Sequence, residues 1–312
     1  MFNSAATLLL QCAAILKDAL LVLILPADIF FGLAIITKGL RPTLAAAQRA
    51  IRETRINLSI YILDALAVGP ILLILYALMT NFADAYSLRL INPQFWNSVP
   101  MILVGLIAVF VGDFIGYWRH RLEHTRLLWP SHAVHHSDTV MTWLALLRFH
   151  PINRLSTFII DNSILTLLGF PAYALLVYSA VKHYYGFFIH ADLPWSYGRL
   201  DKVFVSPVMH RWHHSIETEA HETNFATVFS FFDCIFGTYR VPGLAITQLG
   251  VETHTNKGTF AQLIYPFKLS AYHRNLNNSG GSVSSSRTAR HENRARDALS
   301  ELIQQKSNVT PS

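Results

Sequence analysis

The sequence predicts an all-α integral membrane protein: a helical bundle of three spans plus a re-entrant helical hairpin, topped by a cytoplasmic cap rich in histidine. Three observations predict it. Hydrophobic residues fill 52% of the 312 positions and charged residues only 14%, a balance unlike that of soluble domains. Four apolar stretches have the length of membrane helices, or of pieces of them. Of the 15 histidines, most lie beyond the ends of these stretches, and six fall between His120 and His150.

The elements follow in order. The first apolar stretch, 19–36, is interrupted by Pro26 and Asp28; the second, 58–79, contains Asp64; the third is 99–118. Each approaches the ~20 residues with which a helix crosses a ~30 Å hydrocarbon core. The start of the chain lacks the basic region and small-residue cleavage site of a signal peptide, so the first stretch is read as a retained span. Lys38, Arg41, Arg49, Arg52 and Arg55 lie between the first two spans, whereas 81–100 holds only Arg89. The positive-inside rule makes the first connection cytoplasmic, and the third span then delivers His120 to that side.

The fourth stretch, 157–189, is broken by "GFP" at Gly169–Pro171, a signal that ends helices. Its first arm, about 13 residues, reaches only ~20 Å as a helix, too short to span. A hairpin that dips in and returns is therefore expected, leaving every histidine cluster on one face. Beyond Phe267 the chain turns polar and basic ("NLNNSGGSVSSSRTARHENRAR"), which reads as a disordered tail with a short surface helix at 294–305. The expected divisions are 1–98, the N-terminal membrane region; 99–242, the catalytic domain; 243–275, an extension; and 276–312, the tail.

Composition excludes some functions. A net charge of +6 invites a nucleic-acid reading, but the basic residues form no stripe interleaved with stacking aromatics, so no nucleic-acid partner is expected. Cys12 and Cys234 cannot build a disulfide framework, a zinc ribbon or an iron–sulfur site. Any metal must use other ligands.

The histidines supply them. "HRLEH" holds His120 and His124; "SHAVHHSD" holds His132, His135 and His136; "VMHRWHHS" holds His210, His213 and His214. Residues at i, i+3 and i+4 share a helix face, so each cluster aims its imidazoles one way. An unsatisfied buried polar group costs about 1–3 kcal/mol, so eight gathered without a ligand would consume a typical stability of ~5–15 kcal/mol. Neutral imidazole is the commonest metal ligand, and a zinc takes three or four protein ligands, so eight point to two ions. Ligand type alone leaves iron, copper, nickel and zinc open. Asp113, seven residues before His120 on the same face, is placed to orient an imidazole.

Two other readings compete. "HRLEH" fits HxxEH, in which two histidines hold zinc and Glu123 is the base of a membrane metallopeptidase, but this leaves both HxxHH groups without a role. A non-catalytic metal-binding or transport protein would place its ligands near the bilayer midplane.

"DFIGYWRHRLEH", "LWPSHAVHHSD", "LRFHP", "FIHADLP", "SPVMHRWHHS" and "DCIFGTYRVP", in that order over 112–242, resemble the fatty acid hydroxylase and sterol desaturase superfamily, whose pattern is HxxxH, HxxHH and a second HxxHH. The resemblance implies a non-haem site of two iron ions that uses O2 to hydroxylate or desaturate a C–H bond of a lipid, such as a sterol, fatty acid, isoprenoid or ether lipid. It implies His120, His124, His132, His135, His136, His150, His190, His210, His213 and His214 as metal ligands, with His183 either a further ligand or a group behind one. Asp113 and Asp138 are the candidate carboxylates behind the ligands; Glu123, Arg148, Asp192, Asn224 and Asp233 are weaker ones. Asn153, where relatives often carry Glu, and "NFA" at Asn224 depart from the pattern. With no GxGxxG fingerprint, cysteine set or haem domain, a separate electron donor such as a ferredoxin or cytochrome is implied.

Overall fold

The computed structural model describes residues 2–243, 247–251 and 258–272; the polar tail and its expected surface helix lie outside them. The described residues are helical and contain no β-strand, only one bridge between Ser215 and Leu249. Helix α1 (Phe2–Lys38) runs unbroken through Pro26. Helices α2 (Leu40–Leu63) and α3 (Gly69–Ala85) are joined by a π-helical turn at Asp64–Val68 into one 46-residue rod. Helix α4 is Met101–Glu123. These three rods are long and apolar enough to cross a membrane.

The basic connection after the first span is therefore helix, not loop. Its buried residues Ala50, Glu53, Asn57 and Ile60 recur at helical spacing, giving it an inward face that a span search by hydropathy passes over.

After the short α5 (Trp129–His136), the chain forms a helical hairpin. Its first arm joins α6 (Pro151–Thr157), a π-helical turn (Phe158–Asn162) and α7 (Ser163–Leu167); its second is α8 (Ala172–His190). The arm is longer than the hydropathy stretch because the polar turn after His150 is already helical. Gly169 makes the tip, with φ +71° and a position where a Cβ would collide with the Ile91 carbonyl oxygen. Leu90 N–H donates to Leu167 O at 2.7 Å and the Trp96 indole to Leu168 O at 3.2 Å. The tip thus sits beside the connection that precedes α4, and the hairpin runs the length of that helix. Small residues allow the close packing: the Tyr178 ring lies over Gly112 and its hydroxyl donates to Gly112 O at 3.1 Å. Helices α9 (Pro207–His213) and α10 (Phe231–Ile235) complete the histidine-bearing end, and α11 (Thr259–Ile264) packs beside it.

Candidate metal centre

Nine histidines from four helix ends converge. His120 lies in the last turn of α4 and His124 caps it; α5 carries His132, His135 and His136; His190 ends α8; α9 carries His210 and His213, and His214 caps it. They form two groups, His120, His124, His132, His136 and His213, and His135, His190, His210 and His214, with ligand atoms in each within 4.8 Å of one another. The two HxxHH segments are shared crosswise. Each sends its first and last histidine, one turn apart, to one group and its middle histidine to the other. The hairpin's second arm brings His190 to the histidines of α5 and α9.

Hydrogen bonding fixes the protons. Nδ1 of His120 lies 2.7 Å from Phe225 O, that of His190 2.7 Å from Gly186 O, and that of His213 2.7 Å from Thr223 O. A carbonyl only accepts, so each Nδ1 carries the hydrogen and each Nε2 presents a bare lone pair. Yet Nε2 of His213 and of His120 are 3.1 Å apart. Two facing lone pairs at that distance repel and call for a cation between or beside them. In the second group, Nε2 of His190 lies 3.2 Å from that of His135 and 3.0 Å from that of His210. Nε2 of His136 and Nδ1 of His210 and His214 are buried with no hydrogen-bond partner among the described residues. This donor set fits metal ions of the imidazole-loving kind.

Burial also keeps the rings neutral. Desolvation first, then neighbouring imidazoles, holds His132, His136, His210 and His214 well below the usual histidine range; for His135 the nearby Arg148 contributes too. Desolvation pushes His213 down to about 4 against the bond to Thr223 O. Neutral imidazole is the form that ligates.

Three expected residues act elsewhere. His150 joins neither group: its Nδ1 accepts from Ile152 N–H at 3.1 Å and its Nε2 donates to Leu263 O at 3.0 Å. It caps the hairpin's first arm and ties it to α11. Asp113 touches no imidazole, because backbone amides of Thr227, Val228 and Phe229 claim its carboxylate at 2.8–3.3 Å. Asp233 holds the same loop through Phe225 and Ala226 N–H, at 2.7 and 3.0 Å, and burial pushes its carboxyl up to about 6. That loop supplies the Phe225 carbonyl that holds the His120 ring, so Asp113 acts on that ring only through the loop. Asp138 accepts from Asn57 Nδ2 at 3.1 Å and Val140 N–H at 2.9 Å, again with no imidazole. His183 lies outside both groups, against the edge of Phe187.

Most of the remaining polar partners are buried too. Glu123 is fully buried, bonded to Arg119 at 2.7 Å and by Ser156, and 3.4 Å from Nδ1 of His132. Asn153 Nδ2 lies 3.3 Å from that same Nδ1. Asn224 binds the Met209 and Arg240 carbonyls, while Asp192 pairs near the surface with Lys38 and Arg211. Arg148, fully buried, donates to Asn57 Oδ1 at 2.6 Å, Ser137 Oγ at 3.1 Å and Glu53 Oε2 at 2.5 Å. Sequence reasoning missed Glu53 and Asn57; the signal was their place on the inward face of α2. A cavity of about 350 Å³ reaches both groups, touching His120, His132, His135, His190 and His210.

Residues 105–238 match the fatty acid hydroxylase family. The chain is 33% identical over 179 residues to an ornithine lipid hydroxylase of Rhizobium tropici, 56% of this chain and 54% of that one. It is 30% identical over 145 residues to an alkylglycerol monooxygenase of Danio rerio, 46% of this chain and 31% of that one. It is 30% identical over 151 residues to a putative methylsterol monooxygenase of Dictyostelium discoideum, 45% and 53% of the two. The chain thus spans between a third and about half of the length of these relatives. No solved structure matches it. The matched segment 105–238 contains all nine clustered histidines, and it is a fatty acid hydroxylase domain.

Proposed function

We propose that the chain is a membrane-bound, O2-dependent lipid hydroxylase whose nine clustered histidines hold two iron ions on the cytoplasmic side. The observation that carries this reading is the pair of bare Nε2 lone pairs of His120 and His213 facing each other at 3.1 Å, inside one of two adjoining histidine groups. Iron bound there would supply activation of dioxygen for insertion of one oxygen atom into a C–H bond. The chain's own share is positional. Carbonyls of Phe225, Gly186 and Thr223 hold three rings in their ligating tautomer, and the closed end keeps the site out of bulk water. The cavity admits the lipid from between the hairpin and α2. A separate ferredoxin or cytochrome is the proposed source of electrons.

Two features disfavour the metallopeptidase. Glu123 is spent on Arg119 and Ser156, and both histidines of "HRLEH" belong to the five-histidine group. The test uses the full chain in lipid nanodiscs, with metal analysis and lipid mass spectrometry under 18O2 and a chemical reductant. About two irons per chain and an 18O-labelled lipid alcohol, absent from His135→Ala, are expected. One zinc per chain and no labelled lipid would overturn the reading.

A further inference from the structure

The cavity that reaches the histidines carries more charge than an apolar substrate needs. Three cations, Arg119, Arg154 and Lys182, line it. Lys182 Nζ lies beside Gly116, where a Cβ would be 3.4 Å away. Gly116 precedes His120 by one helical turn, about 6 Å of rise. Arg154 is anchored by Asp64, in the turn between α2 and α3. Lys182 thus stands beside α4 one turn before His120, and with Arg119 and Arg154 it forms a charged belt on the cavity wall.

The belt has more donors than acceptors. Asp161, fully buried, accepts from Arg119 Nε at 2.8 Å, Lys182 Nζ at 2.5 Å and the Tyr178 hydroxyl at 3.1 Å. Glu123 is taken by Arg119 and Ser156. By contrast, Arg154 spends only Nε, on Asp64 at 2.9 Å, and its side chain is 41% exposed. Among the described residues its two terminal amino groups have no acceptor, and Lys182 has a third N–H beyond those given to Asp161 and Tyr178. Guanidinium and ammonium donors left over in a cleft inside a membrane protein mark a place for oxygen acceptors.

The geometry points to a seat for the oxyanion of a lipid head group, a carboxylate or a phosphate, at Arg154 and Lys182. The inference rests on the proposed lipid oxidation and narrows its substrate to an acidic amphiphile presented head end first. The apolar wall formed by Leu146, Leu147, Phe149 and Leu175 covers the neighbouring part of the lipid. The cavity volume, about 350 Å³, holds the head region and leaves the rest of the chain in the bilayer.

The test is equilibrium binding to the metal-free full chain in nanodiscs, so it does not depend on turnover. The probes are phosphatidic acid and N-palmitoylglycine, each against a neutral counterpart of equal chain length, diacylglycerol and N-palmitoylglycine methyl ester. At least one acidic lipid should bind about tenfold more tightly than its neutral partner, and whichever does names the head as phosphate or carboxylate. Arg154→Gln should remove that preference, Arg154→Lys should keep part of it, and both should retain the wild-type metal content after loading. Equal binding of acidic and neutral lipids, or a preference that survives Arg154→Gln and Lys182→Met alike, would overturn the inference. In the metal-loaded protein, oxidation at the tail terminus would overturn it as well. A charge preference without any oxygenated product would leave the seat standing and instead defeat the oxygenase reading.

Discussion

His120 and His213 show at the scale of single residues why the site asks for a cation: both hydrogens are committed to carbonyls, so the facing nitrogens can neither donate nor separate. The two groups differ in what a deletion leaves. His210→Ala reduces the four-histidine group to three, whereas His136→Ala leaves four of five. Metal analysis after loading should show a fall from about two ions to about one for His210→Ala and a much smaller loss for His136→Ala. The clustered histidines were legible because their spacing is a local property of helices. The carbonyls behind them were not, since a backbone oxygen has no signature in sequence. His150 misled for the same reason: its motif is local, but its partner, Leu263 O, is 113 residues away.

At the scale of elements, α2 is the strut of the site. Arg148 joins Glu53 and Asn57 of this helix to Ser137, directly after the first HxxHH, and Asp138 closes the network through Asn57. Removing one partner of a buried ion pair strands the other, at a cost of about 3–5 kcal/mol. Arg148→Met should lower stability by that amount in denaturant titration, whereas Lys38→Met, which breaks a half-exposed pair with Asp192, should cost at most about 1 kcal/mol. The sequence hid this strut because four arginines, Arg41, Arg49, Arg52 and Arg55, made the start of α2 look like a loop. Its inward face became visible only once the partners were in place.

The whole molecule should respond to acid as a store of neutral imidazoles. His213 titrates near 4 when folded, against 6.5 in a free chain, so between those values the unfolded chain binds more protons. The contribution of His213 to the stability of the metal-free protein should therefore fall as pH drops from about 6.5 to 4, with the more deeply depressed histidines extending the fall to lower pH. His213 alone contributes on the order of 3 kcal/mol. Metal should leave in the same window as its ligands become protonated. Thermal unfolding and metal retention across pH 4–8 check both, and a flat profile would count against burial as the cause.

The sequence by itself determined the helical class, the three long apolar helices, the break at Gly169 and the facewise clustering of the histidines, because hydropathy, turn chemistry and helical spacing act within a few residues. Only the tertiary structure decided how the histidines divide into five and four, why Asp113 serves a loop rather than a ring, and where the charged belt lies. Those outcomes depend on which backbone groups and charges are brought together from distant segments, and burial makes each of them satisfy its partners there.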